Sequence, residues 1–258
     1  MSNKVHLLTY ANNQPFLTSQ QQIKETFPLY TKKEFIIHEH NSTTIRTKSW
    51  FKYLEEFKRL PPNKRREDSW YVWKPFLTED LYNQMNDGDI LFYVDSSRHY
   101  KGGFAVNVDK LLQFAETNGH IAGSVGKNVT NDTKECCHDP RIWNHILKNN
   151  NHEFYLKKLH VLCSWFVLCK NETTNSFVRE WSALVKEYVD GVPLISLHHT
   201  GDQSIFNVLA YKYNLTVFFH PDHSHEMNKN PNLVTSVLNK TVTPETYFKK
   251  CHETPGVS

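Results

Sequence analysis

The residues of this chain with the clearest chemical potential follow a buried apolar stretch. Ile90 to Val94 are five consecutive apolar residues, and Asp95, Ser96 and Ser97 come directly after them. A continuous apolar strand is typical of a parallel sheet covered on both faces, and open α/β sheets bind ligands at the carboxyl ends of their strands. One carboxylate and two hydroxyls are hard oxygen ligands, which Mg²⁺ and Mn²⁺ prefer and supplement with substrate phosphates. The alternative is that Asp95 only caps the following turn.

Glycine-rich phosphate loops do not explain a nucleotide site in this chain. The segment GSVGKN at 123–128 is only partly similar to a P-loop, because Ile121 stands where the first glycine is needed and Asn128 where Ser or Thr is needed. No G-x-G-x-x-G follows a strand. A nucleotide site here would therefore depend on a metal that bridges a diphosphate to an acidic strand end.

Composition and charge exclude several classes of protein. The chain has 30 basic and 27 acidic residues and a formal net charge of +3, which does not favour a nucleic-acid partner. No apolar run approaches the roughly 18 residues of a transmembrane helix. The five cysteines are an odd number without a C-x-x-C pair, which favours reduced thiols. We expect a soluble, cytoplasmic protein without a transmembrane segment.

Strand and helix patterns alternate along the chain and predict α/β architecture around a mostly parallel central sheet flanked by helices. The tail from His220 onward is predicted to be irregular. The helix after Pro75 is expected to be capped by Thr78 and to end at Gly88. The predicted strands cover residues 4–10, 34–40, 90–94, 120–125, 159–170 and 215–219. The remaining predicted helices cover residues 44–60, 108–119, 139–150, 176–191 and 201–214.

Four segments, in order, resemble a family of GT-A-fold glycosyltransferases found among bacterial polysaccharide-synthesis proteins and large DNA viruses. Residues 70–97, WYVWKPFLTEDLYNQMNDGDILFYVDSS, are similar to the family pattern W-x-W-K-P followed by a helix and G-D-I-x-x-Y-x-D. VHLLTYAN is similar to its first strand, LCSWFVLCKNETTNSFVREW to a later strand and helix, and HTGDQSIFNVLAYKYN to its D-Q-S segment.

The resemblance implies one domain over residues 1–258, with a nucleotide-sugar half at about 1–125 and an acceptor half at about 126–258. It implies a nucleotide-diphosphate sugar donor, most simply UDP-linked, a glycan or glycoprotein acceptor, Mn²⁺ or Mg²⁺, and a cytoplasmic location (the host cytoplasm if viral). The family's D-x-D-type motif is reduced here to one carboxylate. The implied metal ligands are Asp95, Ser97 and His220, and the implied base is Asp202. The implied donor-binding residues are Thr9, Tyr10, Lys74, Asp95, Ser96, Ser97 and Arg98.

Several of these residues have a simpler interpretation. Asp202 precedes an amphipathic helix and could serve only as its N-cap, and Lys74 could be a surface lysine at a loop-to-helix junction. The three histidines of HPDHSHE, residues 220–226, could instead form a metal-dependent hydrolase site. A non-catalytic module that binds nucleotide sugar or glycan is the third hypothesis.

Overall fold

The computed structural model of the chain describes most of residues 3–218 and one short segment near the C-terminus. The described ranges are 3–29, 31–58, 71–96, 108–128, 139–148, 159–197, 201–218 and 248–250. Within these ranges, no helix is both long and apolar enough to span a membrane.

The strands within the described ranges form one large sheet and one small hairpin. They are β1 (Val5–Ala11), β2 (Phe35–Asn41), β3 (Ile90–Val94), β4 (His120–Asn128), β5 (Leu159–Cys169), β6 (Tyr188–Val189), β7 (Val192–Pro193), β8 (Thr216–Phe218) and β9 (Phe248–Lys250). The sheet has the order β2-β1-β3-β5-β4-β8-β9, and β6 pairs with β7. Five of its seven strands run in one direction, with β5 and β9 opposed. The predicted α/β class with a mostly parallel sheet is confirmed.

Among the described residues, helices cover both faces of this sheet. They are α1 (Phe16–Thr26), α2 (Phe51–Lys58), α3 (Trp73–Tyr82), α4 (Val108–Asn118), α5 (Pro140–Leu147), α6 (Glu172–Leu184) and α7 (Asp202–Lys212). Residues of α1 and α4 share one apolar core with one face of the strands. Residues of the other five helices share the second, larger core with the opposite face. This two-sided burial explains why β3 is apolar throughout.

Strand order creates a crevice at one position in the sheet. The chain passes from β1 to β2 on one side and then returns to β3 on the other side, and both neighbours run parallel to β1. The connections leave in opposite directions, so the carboxyl ends of β1 and β3 border the point where open α/β sheets bind ligands.

The helix after the W-x-W-K-P segment differs from its prediction. It begins at Trp73 and ends at Tyr82, so Thr78 lies inside it and donates a 2.8 Å hydrogen bond to the Lys74 carbonyl. An early start is possible because Pro75 lies in the first turn, where a backbone N–H has no intrahelical partner. The end is closed by Lys170, whose Nζ donates to two carbonyl groups near the end of α3 at 2.7 Å each. Gly88, with a φ of 86°, lies in the turn before β3 instead of ending the helix.

Two other helix predictions were also wrong at their boundaries. The predicted helix at 44–60 is a 3₁₀ turn at Thr44–Thr47 followed by α2. The helix predicted from residue 176 begins at Glu172, because Asn171 and Thr174 form a reciprocal capping box that starts it earlier.

The C-terminal tail was predicted to be irregular from His220. Residues 248–250 instead form β9, which pairs antiparallel with β8 at the sheet edge. Most of the remaining tail lies outside the described residues.

Candidate functional site

A cavity of about 160 Å³ opens at the crevice between the ends of β1 and β3. Four of its lining residues are aromatic and two follow β3 directly. The lining consists of Tyr10, Ala11, Asn12, Phe16, Tyr71, Trp73, Asp95 and Ser96. The cavity therefore combines an apolar, ring-lined wall with a carboxylate.

The pleat of β3 fixes the direction of Asp95. Alternate residues of a strand point to the same face, and Tyr93 belongs to the core shared with α3. Asp95 continues this face and accepts a hydrogen bond from the Tyr93 hydroxyl. Its side chain is 25% exposed. Next to it, the Ser96 hydroxyl donates to the Tyr10 carbonyl and ties the end of β3 to the end of β1.

Lys74 is a buried ammonium that bridges two carboxylates. It is only 2% exposed, and its Nζ lies 3.2 Å from Asp95 Oδ1 and 3.0 Å from Asp202 Oδ2. Nζ also donates to the Cys163 carbonyl at 3.2 Å. Burial opposes the charge of Lys74, but Asp202 and Asp95 together outweigh it and hold the pKa well above the ordinary lysine value.

Aromatic rings complete the surroundings of this ammonium. Nζ lies 5.3 Å from the ring centroid of Tyr71, 5.7 Å from that of Trp73 and 5.2 Å from that of Tyr93. Cations within about 6 Å of a ring face are attracted to it, and more strongly where water is excluded. The burial of Lys74 is therefore compensated by ion pairs, a carbonyl and rings.

Asp202 begins α7 and is 1% exposed. Burial raises the pKa of its carboxyl to about 6, although Lys74 opposes that change. The Cys163 thiol donates to Asp202 Oδ2 at 3.2 Å, and Trp181 Nε1 donates to the Asp202 carbonyl at 3.3 Å. The N-cap position of α7 is occupied by Gly201, so Asp202 is the first residue of the helix and not its N-cap.

Tyr10 and Trp73 form the inner aromatic pair of the cavity. Their rings stack with centroids 4.0 Å apart at 26°, and both residues are buried, at 8% and 6% exposure. Tyr71 is half-buried and lies edge-on to Trp73. Its φ of 59° is left-handed, which costs roughly 1–2 kcal/mol for a residue with a side chain.

The structure brings five of the predicted residues together. Asp95, Ser96 and Tyr10 line the cavity, Lys74 lies directly behind Asp95, and Asp202 lies on the other side of Lys74. Thr9 is fully buried and is not part of the cavity lining. Ser97, Arg98 and His220 lie outside the described residues, as do His223 and His225.

Several residues of the site carried no separate prediction. Cys163 and Tyr93 lie inside apolar strands, where a small thiol or an aromatic ring is expected to belong to the hydrophobic core. Phe16 and Tyr71 read as ordinary apolar positions. Asn12 was recognisable only as part of the loop after the first strand. A buried polar network offers no local pattern, because its members come from different elements.

One carboxylate at this site could hold a divalent cation. Asp95 Oδ1 accepts from Tyr93, and Oδ2 lies 3.5 Å from Lys74 Nζ, so the carboxylate keeps lone pairs for another ligand. Mg²⁺ is commonly bound through one or two carboxylates together with waters and substrate phosphates. Among the described residues, no three His, Cys, Asp or Glu side chains are grouped so as to bind a metal on their own. Asp95 therefore fits an ion that is shared with a phosphate ligand.

Comparisons with known proteins identify no family. No family model matches the sequence, and a search of curated proteins found no match. Among solved structures, the chain is similar to mouse xyloside xylosyltransferase 1 in its apo form, at 11% identity and a TM-score of 0.44 over 85% of this chain and 83% of that one.

Proposed function

We propose that this protein is a glycosyltransferase that moves a sugar from a nucleotide-diphosphate donor, most simply UDP-linked, to a hydroxyl of a glycan or glycoprotein acceptor in the cytoplasm. One observation carries the proposal: a ring-lined cavity at the β1–β3 crevice holds the part-exposed carboxylate of Asp95. Rings suit a nucleobase, and a strand-end carboxylate suits the metal of a diphosphate.

Charge at the site agrees with a cation-assisted donor. Asp95 and Asp202 carry two negative charges when ionised, and Lys74 carries one positive charge between them. The net negative charge favours a divalent cation at Asp95, where the side chain meets the cavity. Asp95 would hold Mn²⁺ or Mg²⁺, with Ser97 and His220 as the further predicted ligands. When bound, such an ion supplies the positive charge that a leaving diphosphate requires.

Lys74 positions Asp95 in this proposal. Its ammonium is fixed by Asp202, by the Cys163 carbonyl and by three rings. An ion pair with so rigid a group holds the Asp95 carboxylate in one orientation. Because the ammonium is buried, its field reaches the cavity with little screening by water.

Asp202 remains the proposed base for the acceptor hydroxyl. A pKa of about 6 suits a group that accepts a proton near neutral pH. The carboxylate is 1% exposed and does not line the cavity. Contact with an acceptor therefore requires a displacement of Lys74 or Cys163 that opens Asp202 to the cavity.

Thermal unfolding with UDP, GDP, ADP and CDP, each with Mn²⁺, tests the proposal. A ligand at about 100 times its Kd stabilises a protein by about 2.7 kcal/mol, which raises the Tm of a chain of this size by roughly 5–10 °C. We expect such a shift with at least one nucleotide, together with slow release of that nucleotide from its sugar donor.

Asp95→Asn should remove the nucleotide-plus-Mn²⁺ shift, whereas Asp87→Asn, at an exposed position before β3, should keep it. An Asp95→Asn protein with the full shift would show that the cavity carboxylate does not hold the donor. A response to zinc chelators without any response to nucleotides would favour the hydrolase built on residues 220–226. Binding without turnover in the presence of acceptors would favour the non-catalytic module.

A further inference from the structure

The four rings that line the cavity differ in how much of their surface remains accessible. Tyr10 and Trp73 are buried and stack on each other. Phe16 and Tyr71 are only half-buried, and both border the same cavity. The accessible aromatic surface at the site therefore belongs to Phe16 and Tyr71, and Tyr71 also lies edge-on to the buried Trp73.

The backbone of Tyr71 is unusual for a bulky residue. Its φ of 59° lies in the left-handed region, which glycine and asparagine adopt far more readily than tyrosine. Bulky residues held in such conformations cluster at ligand-binding sites, where the surrounding structure maintains the strain. Here the conformation places the Tyr71 ring beside Trp73, with the two ring centroids 6.3 Å apart. It also places the ring near Lys74, whose Nζ lies 5.3 Å from the Tyr71 centroid.

The polar groups of the lining are few and lie at defined places. Asp95 is engaged with Tyr93 and Lys74, and the Ser96 hydroxyl donates to the Tyr10 carbonyl. Asn12 is exposed and offers both amide donors and a carbonyl acceptor. A sugar ring carries hydroxyls around its whole rim, whereas a nucleobase has two flat apolar faces and carries its polar groups only in the plane of the ring. The lining matches the second pattern.

We infer that Tyr71 is a donor-binding residue whose ring stacks on the nucleobase of the donor, with Phe16 as a second aromatic contact and Asn12 at a polar edge of the base. This inference rests on the proposed function, because it places the base of the same donor whose diphosphate lies at Asp95. It assigns base stacking to Tyr71, which is not among the donor-binding residues that the resemblance implies.

Titration with nucleotides tests the role of Tyr71. The variants Tyr71→Asn and Tyr71→Gly remove the ring but accept a left-handed backbone, so the fold should be retained, as circular dichroism would check. The probes are the nucleoside diphosphate that the wild type binds most tightly, its sugar conjugate, and inorganic pyrophosphate, all with Mn²⁺. The control is Tyr188→Asn, which removes a ring that is 55% exposed on the β6–β7 hairpin.

We expect both ring-removing variants to lose affinity for the nucleoside diphosphate by about tenfold or more, the effect of losing one base–aromatic stack. Tyr71→Phe and Tyr188→Asn should stay within about twofold of wild type, since neither removes a stacking face at the cavity. Pyrophosphate binding should be unchanged in every variant, because it lacks a base.

Three other outcomes would contradict, in turn, the contact of Tyr71 with the ligand, its placement against the base, and the proposed function. Wild-type affinity in both Tyr71→Asn and Tyr71→Gly would show that the ring does not contact the ligand. A loss confined to the sugar conjugate would place the ring against the sugar and not the base. A wild type that binds none of the four nucleoside diphosphates would refute the proposed function itself, which separates that failure from a failure of the Tyr71 assignment.

Discussion

Replacing Lys74 by methionine isolates the charge of the buried cluster. Methionine has a similar unbranched length and fills irregular apolar space, so the main loss is the ammonium. Asp202 then loses a partner at 3.0 Å while it remains 1% exposed. Asp95 is affected less, because its side chain is 25% exposed and keeps the Tyr93 hydroxyl.

The size of the effect follows from the protonation of Asp202. In the wild type, burial raises the pKa of Asp202 from 3.8 to about 6, and Lys74 is the largest influence in the opposite direction. Without that ammonium we expect the pKa to rise above about 7.5. A carboxyl with a raised folded-state pKa binds more protons in the native state than in the unfolded state. Stability therefore falls as pH rises, until the folded-state pKa is passed.

In the wild type this fall ends near pH 6, the pKa of Asp202. In Lys74→Met the free energy of unfolding continues to fall up to about pH 7.5. The fall therefore extends over about 1.5 further pH units, each of which costs about 1.4 kcal/mol. The variant should thus lose about 2 kcal/mol more at about pH 7.5 than at about pH 5. This is less than the roughly 3–5 kcal/mol for a broken buried pair, because the carboxyl can protonate.

Urea unfolding at the two pH values measures this difference directly. Titration of the histidines is common to wild type and variant, so it cancels when the two are subtracted. Exposed Lys32→Met is the control for loss of a lysine charge. Adding Asp202→Asn to Lys74→Met should abolish the part of the pH dependence that comes from Asp202. A destabilisation that is equal at both pH values, or no larger than that of Lys32→Met, would refute the description of Lys74 as the counter-ion of a buried Asp202.

Three further predictions concern other residues. Asp202→Asn should keep nucleotide-plus-Mn²⁺ stabilisation while transfer to an acceptor falls by at least about 100-fold; full transfer in this variant would exclude Asp202 as the base. Burial, and secondarily the charges of His6 and His40, lowers the pKa of His38 to about 4. The native state therefore binds fewer protons than the unfolded state, and its stability falls by at most about 3 kcal/mol as the pH drops from about 6.5 towards 4. His38→Gln should flatten that decline in urea midpoints, and an unchanged slope would contradict the assignment. Lys170→Met removes two hydrogen bonds to carbonyls at the end of α3 and should cost about 1–3 kcal/mol in urea unfolding; a smaller change would show that water replaces the lysine.

Local patterns predicted the strand that leads to the site better than the helix beside it. Five consecutive apolar residues, bounded by Asp89 and Asp95, define β3 without ambiguity, and the strand occupies those five residues. The start of α3 was misplaced because Thr78 has the residue type of a cap, whereas Trp73, Phe76 and Leu77 bury an apolar face that extends the helix backward. Tertiary packing decided that boundary, and a cap signal describes only the local chain.

The position of Asp95 beside a cavity at the carboxyl end of β3 was also predictable, since it needs only a buried strand and the rule for α/β sheets. The contacts of Lys74 were not. Asp202 and Cys163 lie far from Lys74 along the chain, and they meet it because β5 enters the sheet antiparallel beside β3 and α7 packs against β5. Strand order of this kind depends on the whole set of pairings, which no single segment encodes.

The burial of Lys74 connects the integrity of the fold with the state of the site. Its ammonium is stable at 2% exposure only while β5, α7 and the end of β3 all present their acceptors to it, because an unpaired buried charge is strongly unfavourable. Lys74 and Asp95 belong to the predicted nucleotide half, and Cys163 and Asp202 to the predicted acceptor half. The ion-paired lysine therefore joins the two predicted halves at Asp95, and a ligand that changes the charge at Asp95 must also change the environment of Asp202.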